Sequence, residues 1–209
     1  MDDGGVTNQP MPTQPTPSLA PVQAVAPVQA LIVVDMQNAF VGGEGAVPDV
    51  GRLLESVRGL LARARESGAL VVQLQNDGEP GTSDEPGTPG WEIHLPVETD
   101  RGEVLLRKTV DDGFEDSPLE TLLRDAGVKE LAVCGVMSEM CVRATASTAL
   151  DLGFRVVLPH DAHATYDIPA AEGISDVVPA ATVSRVAEWT LGDEVEIVAR
   201  AADVGFTKP

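Results

Sequence analysis

The sequence predicts an α/β protein, a three-layer α/β/α sandwich built on a mostly parallel, Rossmann-like sheet of about six strands. Three observations carry this expectation. Short apolar runs recur along the chain, and segments with helical spacing fall between them. The length of 209 residues, with 43% hydrophobic content, suits one domain with a substantial core. Strands alternating with helices imply right-handed crossovers and a parallel sheet covered on both faces.

The elements follow in order. Residues 1–29 are rich in Pro, Gln, Thr and Ala, repeat Pro21-Val22-Gln23-Ala24 as Pro27-Val28-Gln29-Ala30, and hold too few large apolar residues to build a core. A flexible or surface-draped arm is expected there, with the folded domain over 30–209. Leu31-Ile32-Val33-Val34 is a continuous apolar run, as in a strand buried on both faces. Further strands are expected at 70–75, 104–107, 131–134, 156–158 and 195–199. Helical spacing marks 50–67, with Leu53, Leu54, Val57, Leu60 and Leu61 on one stripe, and then 119–126, 140–152 and 182–191. The break at 76–101 is dense in Gly, Pro, Asp and Glu and contains Trp91 and His94; a loop this long in a compact domain is usually functional or disordered, and these two side chains favour function.

Charge and motif content exclude several classes. With 14 Lys and Arg against 33 Asp and Glu, the net charge of −19 argues against nucleic acid or an anionic membrane as partner. Cys134 and Cys141 are too few for a disulfide scaffold. The start Met1-Asp2-Asp3 lacks the basic and apolar regions of a secretory signal, and no apolar run approaches the roughly 18 residues of a membrane span, so a cytoplasmic protein is expected. No Gly-x-Gly-x-x-Gly follows the first strand and no Gly-Lys-Ser/Thr loop is present, so the two common nucleotide fingerprints are missing.

Reactive groups of open α/β sheets collect at the carboxyl ends of the strands. Asp35 closes the first strand, Lys108 follows the third, and Cys141 begins the helix after the fourth. A helix N-terminus offers free N–H groups and partial positive charge, which favour a thiolate and the oxyanion it creates. Cys134, inside a strand, reads as a small buried hydrophobe.

Asp35-Met36-Gln37-Asn38-Ala39-Phe40, then Leu106-Arg107-Lys108 with Phe114, then Gly135-Val136-Met137-Ser138-Glu139-Met140-Cys141-Val142 with Thr145-Ala146 form an ordered set that resembles the isochorismatase-like cysteine hydrolases. The resemblance runs from about Ala30 to the C-terminus. It implies a triad of Asp35, Lys108 and Cys141, a non-proline cis peptide between Val136 and Met137, and an oxyanion hole from the Met137 and Cys141 amides. It implies no cofactor, a small-molecule substrate and a homo-oligomer, dimer or tetramer. Metal-binding members of the family carry an aspartate and histidines soon after the first strand; here no histidine lies between Asp35 and His94, and no metal is expected.

Cys141 favours acyl transfer through a thioester, and the 76–101 loop is similar to that of a metal-independent branch that includes streptothricin hydrolases. The expected activity is hydrolysis of a small amide or lactam. Isochorismatase-type ether hydrolysis and a silent small-molecule-binding protein stand as alternatives. Substrate contacts are expected from Phe40, Trp91, His94, Val136 and Tyr166, although Trp91 could equally anchor the loop, His94 is expected to fix the loop through hydrogen bonds rather than to transfer protons, and an aromatic at a strand end is often core. Asp161 is expected to cap a helix; His163 could reach the rim of the site.

Overall fold

The computed structural model describes residues 25–209, so the arm expected over 1–29 lies outside the described residues as far as 24. Its last residues belong to the domain. Val28 is fully buried, its N–H donates to the Gly205 carbonyl at 3.0 Å, and Val25 packs against the core. Residues 25–29 thus pack on the folded chain, with Val28 bonded to the C-terminal segment.

The strands are β1 (Ala30–Val34), β2 (Leu70–Asn76), β3 (Val104–Lys108), β4 (Glu130–Val136), β5 (Arg155–Pro159), β6 (His163–Ala164) and β7 (Glu196–Val198). The principal helices are α1 (Asn38–Val41), α2 (Val50–Ser67), α3 (Leu119–Asp125), α4 (Arg143–Asp151) and α5 (Ala180–Thr190). All pairings between these strands are parallel, in the order β3-β2-β1-β4-β5-β7, and β6 pairs the last two residues of β4. The sheet thus has seven strands where the apolar runs suggest about six. Two residues of β6 are too few to leave a run. No described helix is long and apolar enough to cross a membrane.

Alternation along β1 assigns the two faces. Leu31 and Val33 join a core with the α2 residues Leu53, Val57, Leu60, Leu61 and Ala64; Ala30, Ile32 and Val34 join a second core with Leu119 and Leu123 of α3 and Ala146 and Ala149 of α4. Each fully buried Leu, Ile or Val contributes roughly 1.5–3 kcal/mol relative to exposure, so both layers are held mainly by this sandwiching. Helix α2 stops at Gly68, whose φ of 74° suits a residue without Cβ; Ala69 N–H then reaches Ala64 O at 3.0 Å and Gly68 N–H reaches Arg65 O at 3.3 Å.

The strand order reverses direction between β1 and β4, which opens a crevice at their carboxyl ends. The two strands approach closely there through Gly135. Its φ is +120°, and a Cβ would sit 2.0 Å from Val34 O. Gly135→Ala is therefore expected to cost about 3 kcal/mol or more, lowering the Tm by roughly 6–12 °C in a chain of this size. A thermal-unfolding midpoint within a degree or two of wild type would show that the backbone yields instead.

Candidate active site

Asp35, Lys108 and Cys141 come from three separate strand ends and meet in this crevice. Asp35 follows β1 with φ 49°, a left-handed conformation that asparagine and aspartate tolerate better than most residues, and its N–H donates to Leu74 O at 3.1 Å. Lys108 is the last residue of β3, one strand beyond β2. Its Nζ lies 2.7 Å from Asp35 Oδ2, 3.3 Å from Cys141 Sγ and 3.1 Å from the Val110 carbonyl. The lysine and aspartate side chains are only 1% and 2% exposed. Asp35 Oδ1 is buried and accepts no hydrogen bond among the described residues. The Asp35 carboxylate is close enough to the Cys141 thiol to raise it by charge and hydrogen bonding.

Cys141 lies in a different local structure from the one its sequence suggests. The helix expected from 140 starts only at Arg143, and Cys141 occupies a preceding π-helical turn, Ser138–Val142. Met140, at φ −108° and ψ −106°, breaks the helical path, and the Met137 carbonyl accepts both Met140 N–H at 3.1 Å and Val142 N–H at 3.2 Å. The peptide bond Val136–Met137 is cis. Among the described residues, Met137 N–H donates to no backbone carbonyl.

Protonation at rest follows from burial. Burial pushes the Asp35 carboxyl up to about 6, with Lys108 opposing it. Burial alone would lower Lys108, but the charges of Asp35 and Cys141 outweigh it and raise the amine. The Cys141 thiol is pushed up by burial and then by Asp35, with Lys108 opposing. The resting site is thus a carboxylate–ammonium pair beside a neutral thiol, and the standing thiolate suggested by a helix N-terminus is not what the burial favours. Cys134 is fully buried, its thiol raised by burial alone, as suits an inert core residue.

The five residues expected to touch substrate each have another visible engagement, and none of these engagements runs to the triad. Phe40 packs on the α2-side core, and the Val136 side chain is fully buried in it. Trp91 donates Nε1–H to Asp77 Oδ1 at 2.9 Å, with the Arg107 guanidinium 5.0 Å above its ring. His94 Nδ1 lies 2.8 Å from Asn38 Oδ1, and Tyr166 donates its hydroxyl to Gly45 O at 2.6 Å. Asp161 does not cap the next helix, α5, whose Ala180 N–H lies on Asp167 Oδ1 at 2.7 Å; it accepts Ala201 N–H at 2.6 Å, forty residues on. His163 is buried.

Other contributors were not singled out from sequence. Gln37, fully buried, accepts Asn76 N–H at 2.8 Å and donates to the Asn76 and Trp91 carbonyls at 2.9 Å each. With Asn38 N–H on Glu92 O, Ala39 N–H on Gly90 O and His94 N–H on Met36 O, it zips the 76–101 loop to the segment after β1. The loop is an ordered wall for this reason. Asp111 Oδ1 lies 3.6 Å from Cys141 Sγ, so a second, exposed carboxylate stands at the mouth. Its place three residues after Lys108 was the available signal.

Comparisons with known proteins bear on the family and the fold. The isochorismatase domain model matches residues 29–183. Two streptothricin hydrolases of Streptomyces noursei are 69% and 70% identical over 180 and 183 residues, 86% and 88% of this chain. The matches span 65% and 73% of those relatives' own lengths. The crystal structure of an isochorismatase from Pseudomonas putida superposes with a TM-score of 0.76 at 28% identity, covering 86% of this chain and 93% of that one. With a domain match over most of its length, relatives at this identity and the same sheet, the chain belongs to the isochorismatase family.

Proposed function

We propose that this chain hydrolyses the amide or lactam C–N bond of a small molecule through a Cys141 thioester, with a streptothricin-type lactam as the first substrate to test. The observation that carries the reading is the contact of Lys108 with both Asp35 and Cys141, with the Asp35 carboxylate close enough to the thiol to raise it. The identity of 69% and 70% to streptothricin hydrolases supports the substrate class.

The steps follow from the protonation states. As Cys141 Sγ attacks the carbonyl carbon, its proton passes to Asp35, and Lys108 offsets the charge that develops on sulfur. The carbonyl oxygen becomes an oxyanion and accepts N–H groups from Met137 and Cys141. On collapse the C–N bond breaks and Asp35 returns its proton to the departing nitrogen. Water, deprotonated by Asp35, then attacks the thioester; the carboxylic acid leaves and the thiol is restored. No metal or cofactor enters these steps. Phe40, Trp91, His94, Tyr166 and the Val136 backbone are proposed to shape the pocket, mostly by holding its walls. Two free thiols suit the reducing cytoplasm, and a dimer or tetramer is proposed from the family.

A panel of amides, ureas and lactams, including streptothricin, scored for new amine or ammonia, tests the reading. Because Asp35 must be ionised to take the thiol proton, kcat/KM of the substrate found should rise about tenfold per pH unit below about 6 and level off above it. Lys108, raised above its ordinary value, stays charged across that range. Turnover of nothing in the panel, or a rate that falls as pH rises through 6, would remove the proposal.

A further inference from the structure

A second cluster of side chains lies apart from the triad. His160 and His163 flank the turn between β5 and β6, and Glu188 projects from α5; one ligand atom from each lies within 4.8 Å of the other two. Glu188 Oε1 is 2.5 Å from His160 Nδ1 and 3.1 Å from His163 Nε2, and the Glu188 side chain is 1% exposed. A carboxylate this deeply buried demands compensating positive charge. The two imidazoles are its nearest partners, and the Arg185 guanidinium, itself 58% exposed, reaches Oε2 only at 3.4 Å.

The other nitrogen of His163 is fixed in a way that suits a ligand. His163 Nδ1 lies 2.8 Å from Ser138 Oγ, and Ser138 Oγ lies 2.9 Å from Ser184 Oγ. Without an ion, Nε2–H would donate to Glu188; with one bound, His163 would donate Nδ1–H to Ser138 and turn its Nε2 lone pair to the ion. Metal-bound imidazoles are oriented by the same kind of hydrogen bond from the far nitrogen. A cavity of about 140 Å³, bordered by His160, His163, Ser184, Asp49 and Arg52, opens beside the cluster and gives an ion a way in.

We propose that His160, His163 and Glu188 form a binding site for a divalent transition ion, zinc above all, with its remaining coordination positions open to that cavity. Two nitrogens and one carboxylate oxygen are a donor set that zinc takes readily. Tetrahedral bonds of about 2.0–2.1 Å put ligand atoms roughly 3.3 Å apart. The His163–Glu188 pair already stands near that spacing at 3.1 Å, and His160, whose side chain is 45% exposed on a short turn, has room to swing outward from 2.5 Å. The sequence shows no third ligand at recognisable spacing because Glu188 lies 28 residues beyond His160. Ser138 opens the turn that carries Cys141, so the ion would brace that turn through His163 and Ser138 and take no part in the carbonyl chemistry.

The test uses the tag-free full chain carrying Cys141→Ala, so that the active-site thiol does not capture metal. After chelator treatment and dialysis it is titrated with zinc ion, followed by calorimetry and thermal unfolding, with cobalt ion as a visible-absorption probe. Expected are one saturable equivalent and a Tm rise of about 5–10 °C at a hundredfold excess over Kd. His160→Ala and Glu188→Gln, added singly, should each weaken binding by at least tenfold. Absence of saturable binding, or binding untouched by either change, overturns the proposal and leaves a hydrogen-bonded strut. Should Glu188→Gln fail to fold, His160→Ala, at a half-exposed ring, decides alone.

Discussion

Cys141→Ala is expected to lower kcat for amide or lactam hydrolysis by about four orders of magnitude or more, with circular dichroism and Tm close to wild type. The loss is large because the thioester path needs the sulfur itself. Neither Asp35 nor Lys108 can form the acyl-enzyme, and water activated by Asp35 alone lacks the position that Sγ holds, 3.3 Å from the Lys108 ammonium. The fold should tolerate the change, since Cys141 sits in a turn shaped by backbone bonds to the Met137 carbonyl, and alanine keeps the Cβ. Ether hydrolysis of an isochorismate-like substrate makes the opposite forecast, because an enol ether offers no carbonyl to the thiol, and activity surviving in the variant would move the assignment there. A binding protein without turnover would show no rate to lose. Iodoacetamide resistance of the free protein, by contrast, does not separate these readings, because burial raises the resting thiol in either case.

The layers of the fold were legible because strands and helices announce themselves locally. The Leu31–Val34 run names a strand buried on both faces, and helix 50–67 is observed with the bounds its apolar stripe implies. The meeting of Asp35, Lys108 and Cys141 was legible through an ordered motif, and the cis peptide through the same resemblance. What escaped depends on distant residues. The π-helical turn needs Met140 at a ψ that no propensity suggests, and β6 exists only because β4 extends beyond β5 to receive two residues. Gln37 reads as an ordinary polar residue until the fold brings Asn76 and Trp91 to its amide. Trp91 was read as pocket wall or loop anchor, and its bond to Asp77 favours the anchor. Glu188 gains its meaning only when α5 packs on the turn after β4.

Lys108→Met is expected to reduce kcat/KM at pH 7 by about 10²–10³-fold and to move the rising limb of the pH profile to higher pH. Two causes combine. Lys108 is the chief influence holding the buried Asp35 carboxyl down, at 2.7 Å, so its removal lets burial push Asp35 above about 6. An opposite charge at this range is worth about 1–3 pKa units, so roughly 90% or more of the base would be protonated at pH 7 with a shift near two units. The second cause is the lost ammonium 3.3 Å from Sγ, which offsets negative charge as the thiol ionises and costs about another tenfold or more. The first loss is recoverable and the second is not, so activity should climb between pH 7 and 9 without reaching wild type. Stability follows the same sign. With Asp35 raised in the folded state above its unfolded value of 3.8, the native form binds the proton more tightly than the unfolded chain, and Tm should fall as pH rises from about 4 through the new pKa. A flat loss of rate at every pH, with the limb still near 6, would mean that Lys108 does not govern the charge of Asp35, and the proton route through that carboxylate would have to be abandoned.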